Sequence, residues 1–194
     1  MLVFDTWQCA PSQRQPTCAG RQKLKGTLWR ILGDRAKAIR SDTRGLTPLG
    51  TNGRKIAVLR GDGKVAILGS DGRAFGTTPV PGTIRGAALD GQQLVVLTPT
   101  RLYVYRLQSI TLERSWALAR TGAVRKLAGI GGGLAAYAQG RTIQLVRLSD
   151  GRRSAITVPG KGTVRAALTG AGLFYTYTLP HSKYRGRVAF ISLR

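Results

Sequence analysis

Gly82-Thr83-Ile84-Arg85, Gly122-Ala123-Val124-Arg125 and Gly162-Thr163-Val164-Arg165 are one phrase written three times, at a forty-residue interval. Each copy opens an apolar segment. Self-similarity at that period indicates a repeat architecture in which each copy is one supersecondary unit. The segments between the phrases therefore decide the fold.

Four short apolar runs occupy equivalent places in the repeats, the last three each after a phrase: Ile56-Ala57-Val58-Leu59, Leu94-Val95-Val96-Leu97, Leu134-Ala135-Ala136-Tyr137 and Leu173-Phe174-Tyr175-Thr176. Runs of this length, apolar on both faces, are strands covered on both sides by neighbouring sheets. A turn and a further strand follow each: Lys64-Val65-Ala66-Ile67, Arg101-Leu102-Tyr103-Val104, Thr142-Ile143-Gln144-Leu145 and Arg187-Val188-Ala189-Phe190. Asp71-Gly72 and Asp150-Gly151 then turn the chain into a fourth, poorer strand, because glycine supplies the positive φ of a tight hairpin. Arg106 to Arg114 does the same without Asp-Gly.

Four short strands per repeat of about forty residues, with glycine-rich turns and no helical period, predict an all-β fold of β-propeller blades. Over residues 45–194 the chain resembles the YVTN, quinoprotein-like and WD-repeat propellers in architecture. The resemblance implies a binding scaffold rather than a particular ligand, since the Gly-His and Trp-Asp dipeptides of WD repeats and any quinone pocket are missing from the sequence. No cofactor is expected. The predicted blades are 45–82, 83–121, 122–161 and 162–194, the last without its outer strand, preceded by an incomplete blade over 1–44, the whole forming one domain.

That first block reads as a strand at Leu2-Val3-Phe4, a Pro- and Gln-rich loop, then a hairpin of Thr27 to Leu32 and Ala36 to Arg40 about Gly33-Asp34. Four to five blades result, and the chain is expected to be part of a larger propeller. The alternative is closure of the last blade by Leu2-Val3-Phe4, since closure removes exposed edges. Cys9 and Cys18, separated by a closable loop with two prolines, are expected to form a disulfide in an oxidising compartment. Zinc is not expected, because the one histidine, His181, is far from both. An extracytoplasmic location follows if a signal peptide precedes the sequence, a cytoplasmic one otherwise; no stretch approaches the ~18 apolar residues of a membrane span.

Charge is the outlying property. Against 8 acidic residues stand 31 Lys and Arg, for a net charge of +23 at pH 7. A field of that sign attracts an acidic polymer, an acidic partner protein or, by charge alone, nucleic acid. An arginine-rich composition of this kind also arises from a GC-rich genome.

Catalysis is hard to assemble from His181, Glu113 and seven aspartates, of which Asp62, Asp71 and Asp150 sit in turns. The sequence is read as non-catalytic, an enzyme site in further blades being the remaining alternative. Arg60-Gly61-Asp62 and Gly61-Asp62-Gly63-Lys64 are explained by turn chemistry and are set aside. The repeated arginine is the better signal: Arg85, Arg125 and Arg165 precede the innermost strand of three blades, with Lys126 and Lys161 beside two of them. Equivalent residues of a propeller lie on a ring, so these form either an anion-binding collar or bridges between blades. Thr47 stands where the preceding blade would place a fourth arginine. The basic loop containing His181, Lys183, Tyr184 and Arg185 is a second contact candidate, with Phe174, Tyr175 and Tyr177 nearby in sequence.

Overall fold

A computed structural model of the chain describes residues 2–5, 27–32, 34–40, 46–178 and 186–192. Every regular element among them is a strand. The chain divides into two compact units, Met1–Pro79 and Val80–Arg194.

In the first unit, β1 (Leu2–Asp5), β2 (Thr27–Leu32) and β3 (Arg35–Arg40) form an antiparallel sheet in that order. β4 (Leu46–Thr51), β5 (Ile56–Arg60), β6 (Lys64–Leu68) and β7 (Ala74–Pro79) form a four-stranded meander. β1 pairs with β2, Val3 opposite Trp29, so Leu2-Val3-Phe4 belongs to the first sheet and does not complete the last one. Leu28, Ile56, Val58, Ala66 and Leu68 make the core of this unit, packed by Ile39 and Leu46.

In the second unit, β8 (Gly86–Asp90), β9 (Gln93–Leu97), β10 (Arg101–Arg106) and β11 (Thr111–Ala117) are one meander. β12 (Arg125–Gly131), β13 (Leu134–Gln139), β14 (Thr142–Arg147) and β15 (Arg153–Thr157) are the next. The last comprises β16 (Lys161–Thr169), β17 (Gly172–Thr178) and β18 (Gly186–Ser192). The fold is of β-propeller type.

The middle strands read as continuous apolar runs because both faces are covered. Val95, Leu97, Leu102 and Val104 of one meander meet Ala135, Tyr137, Val146 and Leu148 of the next in one buried cluster. Ile143, Leu145, Val164, Leu168 and Leu173 form its counterpart one meander on. Each buried Val, Leu or Ile among them contributes roughly 1.5–3 kcal/mol. The fourth strands face outwards and carry the polar residues, as β15 does with Arg153, Ser154 and Thr157 all exposed.

Inner strands approach closely, and glycine permits it. β12 and β16 run parallel and touch at Gly129 and Leu168, where a Cβ on Gly129 would lie 2.6 Å from the Leu168 carbonyl oxygen. A Cβ on Gly86 would lie 2.8 Å from that of Leu127, which brings β8 against β12. A repeated hydrogen bond fixes the turns. The N–H groups of Leu107 and Leu148, just past the third strands, donate to Gln92 O at 2.6 Å and Gly133 O at 2.8 Å. Those of Leu118 and Val158, just past the fourth strands, donate to Thr100 O at 2.7 Å and Arg141 O at 2.9 Å.

Candidate functional site

Alternating strand direction divides the connections of the Val80–Arg194 unit between two ends. The crossing end carries the passages from one sheet to the next, 80–85, 118–124 and 158–160, with the turns 98–100 and 140–141. The turn end carries 91–92, 107–110, 132–133, 148–152 and 170–171. The three acidic residues of this stretch, Asp90, Glu113 and Asp150, all belong to strands or turns at the turn end.

At the crossing end the three phrase arginines part company. Arg85 N–H donates to the carbonyl of Leu97, the fifth residue of β9. Arg125 pairs with Gln139, the sixth of β13, and Arg165 with Thr176, the fifth of β17. Opposite those fifth residues stand Gly86, Lys126 and Arg165. Arg165 is therefore the counterpart of Lys126, not of Arg125, and the ring of three equivalent arginines expected from the forty-residue period is not formed. A bulge between Leu127 and Gly129 adds a residue to β12, and a one-residue shift of register turns a side chain to the other face of a strand. In β4 the matching residue is Leu46, opposite Arg60, so Thr47 is not the missing counterpart either.

Arg85 and Arg125 each precede the residue opposite the fifth position, yet only Arg125 is buried. Arg125 is 4% exposed, and its guanidinium donates to Pro99 O and Ala119 O of the preceding meander and to Gln139 Oε1 at 3.1 Å. The Tyr137 ring centroid lies 5.9 Å from its Cζ. Gln139 in turn donates to Thr121 Oγ1 at 2.9 Å. Arg125 is a bridge between blades. Arg85, Lys126 and Arg165 are exposed at the crossing end, as are Arg101 and Arg120. Arg141 is exposed too, with its Nε and Nη2 donating to Val158 O. Lys161 begins β16, but its side chain lies outside the described residues, as do His181, Lys183, Tyr184, Arg185, Cys9 and Cys18.

At the turn end the arginines are engaged. Among the described residues of this unit the ion pairs are Arg106–Glu113 at 2.8 Å, Arg147–Asp150 at 3.3 Å and Arg152–Asp150 at 3.5 Å. Asp150 Oδ1 also accepts the Arg152 N–H at 3.0 Å. That backbone donor, with the charges of Arg147 and Arg152, holds the Asp150 carboxyl below its ordinary value. Arg114 donates to Leu148 O and Ser149 O, and Arg153 to Ala117 O. The Trp116 indole covers Gly151, where any Cβ would overlap it. Arg114, Trp116 and Arg153 together tie the β8–β11 meander to the β12–β15 meander, a role sequence reasoning did not assign them.

A cleft of about 900 Å³ opens at the turn end between these two meanders, with Arg106 and Glu113 on one wall and Arg147 and Ser149 on the other. No sequence motif marks it, because its lining comes from separate turns.

The same architecture is found among solved structures. The crystal structure of BamB from Moraxella catarrhalis superposes with a TM-score of 0.57 at 14% sequence identity, covering 86% of this chain and 55% of that one. The chain thus spans about half the length of that propeller-type relative, and the likeness is one of fold. No protein-family model matches the sequence, and no curated protein matches it.

Proposed function

We propose that this protein is a non-catalytic β-propeller scaffold that holds an acidic stretch of a partner protein, or a comparable anionic polymer, against the crossing end of its Val80–Arg194 unit. One observation carries the reading: Arg85, Arg101, Arg120, Arg165 and Lys126 stand exposed at an end to which this stretch of chain contributes no Asp or Glu. Cations without internal counterions keep their field for an external one, and arginine offers bidentate contacts to carboxylate or phosphate. The proposal keeps Arg85, Arg165 and Lys126 as anion contacts, adds Arg101 and Arg120, and leaves Arg125 to the fold.

The non-catalytic part rests on what the carboxylates do. Asp62, Asp71 and Asp150 each accept a backbone N–H two residues on, at 3.2, 3.0 and 3.0 Å, and Glu113 is held by Arg106. Groups committed to turns and ion pairs are poor general bases.

Titration with poly-L-glutamate at several salt concentrations tests the proposal. Binding is expected to weaken steeply with salt and to fall with each cation removed, while the triple variant Arg85→Gln/Arg120→Gln/Arg165→Gln keeps wild-type stability. Equal loss from Arg106→Gln/Arg147→Gln at the turn end would count against the assigned surface. Duplex DNA bound more tightly than polyglutamate through the same arginines would move the reading to nucleic acid.

A further inference from the structure

The cleft at the turn end differs in chemistry from the crossing end. Arg106 is anchored through Nε on Glu113 and Arg147 through Nη1 on Asp150, and both side chains stay more than half exposed, at 59% and 54%. Each guanidinium is thus fixed along one edge and keeps other N–H groups without a partner among the described residues. Arg114, tied to the carbonyls of Leu148 and Ser149, braces the two walls. Beside them the Gly132-Gly133 turn, with φ of 59° and 74°, is exposed, and a Cβ on either residue would meet nothing within 4 Å. Ligand backbone can therefore approach it closely.

Charge decides what class of ligand fits. Arg106, Arg114 and Arg147 line the cleft with the carboxylate of Glu113, and Asp150 beside it is shared by Arg147 and Arg152, so a net positive charge remains. A polyanion would meet the Glu113 carboxylate and gain little. One carboxylate fits the fork of a part-anchored guanidinium. The remaining lining combines the neutral hydrogen-bonding side chains of Gln93 and Ser149 with the apolar one of Leu134. Its volume of about 900 Å³ falls within the ~300–1,000 Å³ usual for ligand clefts.

We propose that this cleft is a second, independent binding site that takes a peptide segment bearing one carboxylate, held between Arg106 and Arg147 with its backbone against Gly132-Gly133. The probes are acetyl-Ala-Leu-Ala as its free acid, the same peptide as its C-terminal amide, and acetyl-Ala-Glu-Ala amide, titrated calorimetrically into the full chain. The free acid tests a chain terminus as the source of the carboxylate and the glutamate peptide tests a side chain. One or both are expected to bind about tenfold more tightly than the amide, which lacks the charge.

Arg106→Gln and Arg147→Gln are each expected to weaken the acid by about tenfold, and Arg85→Gln at the crossing end to leave it unchanged. Because Arg106→Gln also unpairs Glu113, Gln93→Glu provides a variant that keeps the ion pairs; its added carboxylate should weaken the acids several-fold and spare the amide. Amide bound as tightly as acid, acid binding indifferent to both Arg147→Gln and Gln93→Glu, or no binding of any probe at millimolar concentration would each overturn the proposal.

Discussion

The two ends of the Val80–Arg194 unit are both rich in arginine, yet they use it differently. At the turn end Arg106, Arg147 and Arg152 face carboxylates, and Arg114 and Arg153 cap carbonyls of the neighbouring meander. At the crossing end only Arg125 and Arg141 are engaged in this way, and Arg85, Arg101, Arg120 and Arg165 have no carboxylate among the described residues. Net charge alone does not distinguish these situations. An arginine next to Glu113 has part of its charge answered within the fold, whereas one on an acid-free surface keeps its whole field for a partner.

Arg125 is where the comparison breaks most sharply, since it lies at the crossing end but belongs to the fold. Its replacement by Met should cost about 2–3 kcal/mol, because the carbonyls of Pro99 and Ala119 lose a charged donor in a part-buried contact. Chemical denaturation measures this; a loss below about 0.5 kcal/mol would return Arg125 to the binding surface. At the turn end, Gly151→Ala should cost about 2 kcal/mol, since the methyl overlaps Trp116 and the backbone sits at φ 76°. The same assay on Gly140→Ala, at φ 59° but with open space around it, isolates the backbone part as the smaller loss.

A third variant sharpens the comparison by improving the turn end. Ile110 holds φ 53° in the turn that lacks Asp-Gly, where Gly72 and Gly151 hold 78° and 76° in theirs. Ile110→Gly should stabilise by about 0.5–1 kcal/mol, the backbone relief exceeding the loss of a half-buried side chain. A lower melting temperature would show that Ile110 packs more than it strains. The smallest effect is acid sensitivity. The depressed Asp150 carboxyl contributes stability fully above its unfolded value near ~3.9, and that contribution disappears as pH falls through the folded value. Wild type should therefore lose its advantage over Asp150→Asn below about pH 4.

Much of the fold was legible because strand burial writes itself into sequence. Leu94 to Leu97 and Ala135 to Tyr137 are continuous apolar runs because residues on both faces of these strands are buried, and Asp71-Gly72 and Asp150-Gly151 mark hairpins whose backbone requires glycine. The site was less legible. The forty-residue period aligns Arg85, Arg125 and Arg165 in sequence, but hairpin register is counted from the turn, and the bulge ahead of Gly129 shifts β12 by one residue. Gly129 inside the strand is a bulge signal, but it does not say that the register of Arg125 is shifted relative to Arg165, and so a buried bridge and an exposed cation read as the same letter. The cleft was invisible for another reason: Gln93, Arg106 and Arg147 come together only when two meanders pack.

The claim that the crossing end is the binding surface is tested most directly by amide chemical-shift mapping of the full chain with poly-L-glutamate. Shifts are expected at 98–101, 118–126 and 158–165, with 91–92, 132–133 and 148–152 unmoved. Shifts concentrated at 132–133 and 148–152, or spread evenly over both ends, would contradict it.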